Sequence, residues 1–432
     1  MVQDLPDRSE VVFDDERVVV NAGIVLAVKL GRRLGLEALV DAAVRLGGRP
    51  GAARPGRKVL SLVHAMLLGA DCIDDCEILR AGRTEAVLGH RPMAPSTLGT
   101  FLRSFTFGHV RQLDRVLGLL LRRAWAAGAG PGAERLVIDV DSFIGEVHGH
   151  AKQGAGYGYT HRLGYHPLLA TRAGTNEVLH VRLRKGAANT QRGALRFVDE
   201  LLARVRKAGA TGQVLLRADS GFWNKKVIAR LREQGCEYSI GVTMQRHVSA
   251  RIALIGDDAW QPVSDYPDSG VCEIAETTLG SERLIVRRVH LHAQDDQTEL
   301  FAYWRHFAFI TNRSEPIHEV DAEHRQHAQV ELVIRDLKDQ ALAHFPSGHY
   351  SANSAWTVIA CLTHNLLRWT SVLGLPRQTI RAARTLRRRL LTLPGRLTRN
   401  ARRWTLHLPA RWPWQHDFVD ALAHLRALPA AA

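Results

Sequence analysis

Cysteine is scarce in this 432-residue chain, with five scattered at Cys72, Cys76, Cys236, Cys272 and Cys361. So odd and sparse a set excludes a disulfide framework and points to reduced thiols. Cys72 and Cys76 have the spacing of half a zinc site. No second Cys or His pair with ligand spacing lies nearby, so they read as two buried helix cysteines. No uninterrupted apolar run reaches about 20 residues, which excludes a transmembrane helix. Residues 1–8, MVQDLPDR, lack a basic segment followed by an apolar core. No signal peptide is visible, and a cytoplasmic, nucleoid-associated protein with no membrane partner is expected. Acidic residues are also missing from one long stretch: Arg368 to Arg411 holds twelve arginines and no Asp, Glu or Lys.

Composition is otherwise that of an ordinary globular protein, 46% hydrophobic and 23% charged, with length for two or three domains. The formal net charge of +15 points to a polyanionic partner, nucleic acid before anionic membrane. Much of that charge sits in residues 341–432, where thirteen arginines face two acids, Asp417 and Asp420. Trp369, Trp404, Trp412 and Trp414 are interleaved with them. Arginine grips phosphate bidentately, so this stretch, with Arg387, Arg388 and Arg389 as its densest run, reads as a DNA-contacting surface rather than a solvated helix.

Hydrophobic periodicity divides the chain into three. Residues 1–130 show helical spacing and basic helix ends, as in a helical DNA-binding domain, with Ser96 or Thr97 as a helix cap and a helix over about 110–126. A glycine-rich linker at 128–132 leads to a catalytic core over 131–345. Strands are expected at 136–142, twice within 163–186, at 214–219 and at 238–243, with helices at 190–208 and 224–235. This order predicts an α/β fold with a ribonuclease H-like core. Strand-like pieces at 284–289 and 299–303 predict an inserted β-rich subdomain at about 244–305. Residues 346–432 are expected to form a basic helical C-terminal region.

Three acids carry the chemistry. Asp141 ends the apolar run from Leu136, Asp219 ends the run from Val214, and Glu331 lies in a late helix. Two carboxylates at strand ends and one on a helix can converge on divalent metal. Carboxylates and water suit Mg²⁺, with Mn²⁺ as the alternative, and two ions about 3.5–4 Å apart would activate an attacking oxygen and stabilise a leaving one. Asp139 shares a strand face with Asp141, and either could bind metal; Asp141 at the strand end is preferred, with Asp139 as a supporting or structural carboxylate. His324, His327, Arg335 and Lys338 share one helix face with Glu331 and are candidate phosphate contacts. His148, His150 and His166 are read as parts of a site floor or as DNA contacts. The run Gly154-Ala-Gly156-Tyr-Gly158 matches no phosphate-binding fingerprint.

On these residues the chain resembles bacterial insertion-sequence transposases of the DDE type, most of all the thirteen-eighty family, in its branch with a β-rich insertion. The resemblance covers nearly the whole chain. Asp141-Ser142 is similar to the first catalytic aspartate. The string Leu216-Arg-Ala-Asp219-Ser-Gly-Phe222 is the most specific match, to the second. Glu331 with Lys338 is similar to the end of the family's Tyr-Arg-Glu-Lys signature. The tyrosine and arginine positions of that signature fall on His324 and His327, with Arg325 beside the first as a candidate substitute.

The resemblance implies Asp141, Asp219 and Glu331 as catalytic, metal-binding residues. It implies double-stranded DNA partners, namely terminal inverted repeats and target, and a homodimer on paired ends. Hydrolysis at the element end would free a 3′-hydroxyl that attacks a second phosphodiester, giving cut-and-paste movement. The alternatives are a metal-dependent nuclease without strand transfer, and a non-catalytic DNA-binding protein derived from a transposase.

Overall fold

Runs of Val, Leu and Ile closed by turn residues favour buried strands, and such runs form the middle of the molecule. The structure, a computed structural model, describes residues 10–158, 161–264, 270–291, 304–376 and 382–430. Strands β1 (Leu136–Ser142), β2 (Leu168–Arg172), β3 (Val178–Arg182), β4 (Val214–Ala218) and β5 (Glu237–Gly241) lie side by side in the order β3-β2-β1-β4-β5. β1, β4 and β5 run parallel, while β2 is antiparallel to both its neighbours. Both aspartate-bearing runs are therefore adjacent central strands.

The sheet continues through β6 (Gln261–Pro262), β7 (Gly270–Leu279), β8 (Glu282–Leu291) and β9 (Arg305–Thr311), and β9 pairs antiparallel with β5 through Gly241 and Phe309. The β-rich stretch expected as a separate insertion thus extends the main sheet to nine strands, and it carries a small apolar cluster of its own around Ile274, Ile285 and Phe309. An edge strand offers unpaired backbone groups, and the ladder from β9 satisfies those of β5. Alternation marks strands but cannot say which edge they join. The strand-like segment 299–303 lies outside the described residues.

Helices α1 (Val25–Arg33), α2 (Leu36–Ala43), α3 (Pro55–Leu67), α4 (Pro95–Arg103) and α5 (Phe107–Ala124) make up much of the N-terminal part. The cap of α4 is Ala94 with Pro95 in the first turn, not Ser96 or Thr97, because proline already has helical φ and lacks the N–H a cap would satisfy. Further on come α6 (Ala194–Ala208), α7 (Lys225–Glu233), α8 (Ile317–Arg325), α9 (Gln329–Lys338), α10 (Tyr350–Gly374) and α11 (Gln415–Ala427).

α10 is buried on nearly every side and packs against α1, α3, α4, α5, α11 and β3. One apolar cluster consequently runs from Ile24 to Leu425, across the expected boundaries at 130 and 345. The expected basic helical C-terminal region needs correction. It opens with this central helix, and residues 395–407 form a β-hairpin, Gly395–Asn400 with Arg403–His407, whose first strand pairs with Val18–Val19. Alternating Leu, Thr and Trp suit a pleated surface, which the arginine count had masked.

Candidate active site

Val140 and Ala218 are register partners in the parallel pair β1–β4. β1 continues to Asp141 and Ser142, and Asp219 is the residue that follows β4. Neighbouring strands lie about 4.8 Å apart, so both carboxylates sit together at the carboxyl end of the sheet, where open α/β sheets take their ligands. Asp141 accepts the Ser142 N–H at 2.6 Å. Asp219 leads into the tight turn Ser220–Phe222. A Cβ on Gly221 in that turn would come within 2.8 Å of the Thr190 methyl group, so glycine is needed there for close approach. Ser142 Oγ lies 3.2 Å from Thr190 Oγ1 and 3.0 Å from His166 Nε2. His166, buried and bonded also to the Ala188 carbonyl, thus backs the strand end that carries Asp141.

α9 packs against β1 and carries Glu331, exposed, in its first turn. Burial pushes the Asp141 carboxyl up to about 6; the charges of Asp219 and Glu331 add to this, and the Ser142 N–H and His327 oppose it. Burial of its carboxyl raises the Asp219 pKa too, against the pull of His327 and the Gly221 N–H, although the residue keeps one side open to solvent. No ion pair reaches Asp141, Asp219 or Glu331 among the described residues. Acids this close without a counter-cation disfavour one another's charge. Their oxygens do not all approach within 4.8 Å of one another, as expected of like charges with nothing between them. An oxygen-rich, uncompensated set of this kind fits hard divalent cations.

Asp139 is otherwise occupied. Its carboxylate takes a bidentate pair from Arg217, Nε to Oδ1 at 2.7 Å and Nη2 to Oδ2 at 2.8 Å, with both side chains 1% exposed. A third contact comes from His327 Nδ1, 2.9 Å from Asp139 Oδ1. Arg217 also donates to the Glu323 carbonyl at the end of α8. The pair therefore clamps β1, β4 and the α8–α9 junction, and Asp139 is the structural carboxylate of the two. Sequence reading missed Arg217. An arginine in the middle of an apolar strand was its signal, since a buried guanidinium demands a partner.

The other candidate residues separate into three groups. Arg335 is exposed with no carboxylate partner among the described residues, and Lys338 is exposed with Nζ 5.3 Å from the centre of the Phe143 ring. Both stay on the Glu331 side of α9. Arg325 is engaged by Asp321 at 2.9 Å, an acid that also binds Arg287 at 2.8 Å. His324 needs correction as a phosphate grip. Its ring stacks on Phe309 at 4.0 Å, its Nδ1 meets Ser239 Oγ at 2.7 Å, and burial, followed by His327, Arg287 and Arg217, lowers its pKa to about 3, so it is neutral. It lines a cavity of about 450 Å³ shared with Ser220, Gly241, Arg287 and Phe307.

In the tail, Arg388 is exposed, Arg389 stacks over Trp414 at 4.9 Å, and Arg387 is corrected to a structural role: its Nε donates to the Leu67 carbonyl at 3.1 Å. Arg368 is likewise buried, paired with Asp336, and Trp369 is buried, donating to Glu177 at 2.7 Å. Composition could not tell these from their exposed neighbours. Trp404 is the aromatic that stays open, with Arg83 and Arg399 over its ring. The glycine-rich run at 154–158 serves backbone packing: a Cβ on Gly186 would fall 2.3 Å from the Gly156 carbonyl oxygen.

A second acid cluster, Asp114, His180 and Glu200, brings its ligand-type atoms within 4.8 Å of one another. Arginines already fill it. Arg204 meets Asp114 at 2.7 Å, Arg111 meets Glu200 at 3.0 Å and Arg196 meets Glu200 at 2.9 Å, with Arg182 on Glu200 as well. It is an internal ion network between α5, β3 and α6.

No curated protein matches the sequence. Among solved structures, the fold is similar to the piggyBac transposase in its synaptic complex with hairpin DNA, at 13% identity and a TM-score of 0.48, over 87% of this chain and 80% of that one. The sequence model described as Transposase DDE domain group 1 matches residues 5–430, and the chain belongs to that family of DDE-type transposases.

Proposed function

We propose that this transposase moves an insertion sequence by cut-and-paste, with Asp141, Asp219 and Glu331 as its catalytic carboxylates. The observation that carries the assignment is the pairing of Val140 with Ala218. It sets Asp141 and Asp219 side by side at the ends of parallel strands, with Glu331 within electrostatic reach and no arginine or lysine paired to the three among the described residues. The strand order β3-β2-β1-β4-β5, with β2 antiparallel, supports a ribonuclease H-like core. Asp141, Asp219 and Glu331 would hold divalent ions, Mg²⁺ or Mn²⁺. Bound there, such ions supply positive charge to the attacking and leaving oxygens of a phosphodiester exchange.

The protein's own groups do the rest. The clamp of Asp139 and Arg217 holds the two strand ends and α9 in register. Arg335 and Lys338 present positive charge on the Glu331 side of α9 for the phosphates flanking the scissile bond. Exposed arginines of the tail, Arg388 foremost, extend the contact along duplex DNA, and a homodimer would pair two element ends. Hydrolysis at an inverted-repeat end yields a 3′-hydroxyl, which displaces a second 3′-oxygen in the following transesterification.

The test is cleavage of a labelled duplex bearing the element's own end, in Mg²⁺, by wild type and by Asp219→Asn. Nicking at the end by wild type, lost by at least about 10³-fold in the variant, is expected. Joining of a pre-cut 3′-hydroxyl end to target DNA separates a transposase from a nuclease. Binding of the end without cleavage by wild type would overturn the catalytic assignment.

A further inference from the structure

His327 stands where the acidic site meets the Asp139–Arg217 clamp, and its two ring nitrogens have different surroundings. Nδ1 lies 2.9 Å from Asp139 Oδ1. A carboxylate bound to arginine only accepts, so Nδ1 carries a proton toward Asp139, and a lone pair for a metal can come only from Nε2. No other hydrogen bond to His327 occurs among the described residues. The ring is 15% exposed. It lies four residues before Glu331, in the 3₁₀ turn Gln326–Ala328 that joins α8 to α9, and its partner Asp139 stands on the strand face of Asp141, two residues away. A histidine that gives one N–H to a buried carboxylate and keeps its other nitrogen unbonded has the arrangement by which proteins orient imidazole on a metal. The neighbouring histidines are spent otherwise: His324 on Phe309 and Ser239, His166 on Ser142 and the Ala188 carbonyl.

We propose that His327 presents Nε2 as a nitrogen ligand to the ion held by Asp141, Asp219 and Glu331, and that Asp139, braced by Arg217, is the positioning residue that aims it. This rests on the carboxylate assignment above. The consequence is a change in ion preference. Mg²⁺ demands hard oxygen ligands and dehydrates reluctantly, whereas imidazole suits ions further along the first transition row. The site should therefore favour Mn²⁺ over Mg²⁺ by more than an oxygen-only set would.

The experiment is electron paramagnetic resonance of Mn²⁺ added to the full-length protein, reading both bound ion and directly coordinated nitrogen. Wild type is expected to bind Mn²⁺ with a nitrogen coupling that changes on ¹⁵N-histidine labelling. His327→Gln should still bind Mn²⁺, about tenfold or more weakly, without the nitrogen coupling and with a smaller excess of Mn²⁺ over Mg²⁺ affinity. His324→Gln should keep the coupling. Bound Mn²⁺ with no nitrogen coupling in wild type, or a coupling that survives His327→Gln, would overturn the proposal while leaving the carboxylate site standing. Mn²⁺ binding that is absent, or indifferent to Asp219→Asn, would overturn both. The labelled wild-type spectrum decides the matter even where a variant fails to fold.

Discussion

Two clusters of acids in this molecule use the same side chains to opposite ends. At Asp114 and Glu200, burial works to raise both pKa values, but Arg204 and His180 around the first, and His180, Arg182, Arg111 and Arg196 around the second, outweigh it and hold both carboxyls well below the usual range. At Asp141 and Asp219, burial meets no arginine, only His327 and a backbone N–H at each, and both carboxyls rise, Asp141 to about 6. Of these two, geometry alone would choose the first as the metal centre, because its ligand atoms lie within 4.8 Å of one another. Electrostatics chooses the second. A cluster whose charge is already neutralised has no use for an ion, and one whose charge is not neutralised stores repulsion that an ion relieves.

The largest expected contrast is in stability. Asp114→Asn strands the Arg204 guanidinium in a buried setting, and breaking such a pair costs about 3–5 kcal/mol. Asp219→Asn removes one of two repelling charges and should leave the melting temperature unchanged or raise it, although it abolishes cleavage. Urea and thermal denaturation of both variants check this. A destabilised Asp219→Asn would erase the distinction between the clusters.

A pH test sharpens the same comparison. The folded pKa of Asp141 lies above its ordinary value of 3.8, so the folded state holds the proton more tightly than the unfolded chain. The cost to stability is absent below about pH 4 and complete above about pH 6. Mn²⁺ offsets that cost where Asp141 is ionised. The thermal shift on adding Mn²⁺ should be clearly larger at pH 7.5 than at pH 5, where the proton competes for the site. Equal shifts at the two pH values would count against an uncompensated Asp141.

The smallest effect concerns the tail. Arg388→Ala should lower the salt dependence of DNA binding by roughly one unit of slope without altering the melting temperature. Arg387→Ala should lower the melting temperature instead, since its side chain is packed between the tail and the end of α3. Salt titrations of duplex binding and thermal melts of both variants separate the two neighbours.

Much of the site was legible in the chain. The runs ending in Asp141 and Asp219 have the composition of central strands, and their stop at an acid placed both at strand ends. The helix carrying Glu331 was visible from its spacing. Harder to see were partners remote in the chain: Asp139 meets His327 across 188 positions and Arg217 across 78. Periodicity describes which face a side chain takes, not what waits opposite. Hence His324 read as a phosphate contact when Phe309 and Ser239 had taken it, and the arginine-rich tail read as one surface when Arg368 and Arg387 point inward.

Local chemistry by itself determined the central strands, the helical character of the N-terminal part, the choice of three candidate acids and the basic excess, because each follows from side-chain type and spacing along the chain. Only the tertiary structure decided that Asp141 and Asp219 stand in register and that Asp139 belongs to Arg217 and His327. It also decided which of two acid clusters lacks its cations. Those outcomes depend on which segments meet, and charge compensation is a property of neighbours in space.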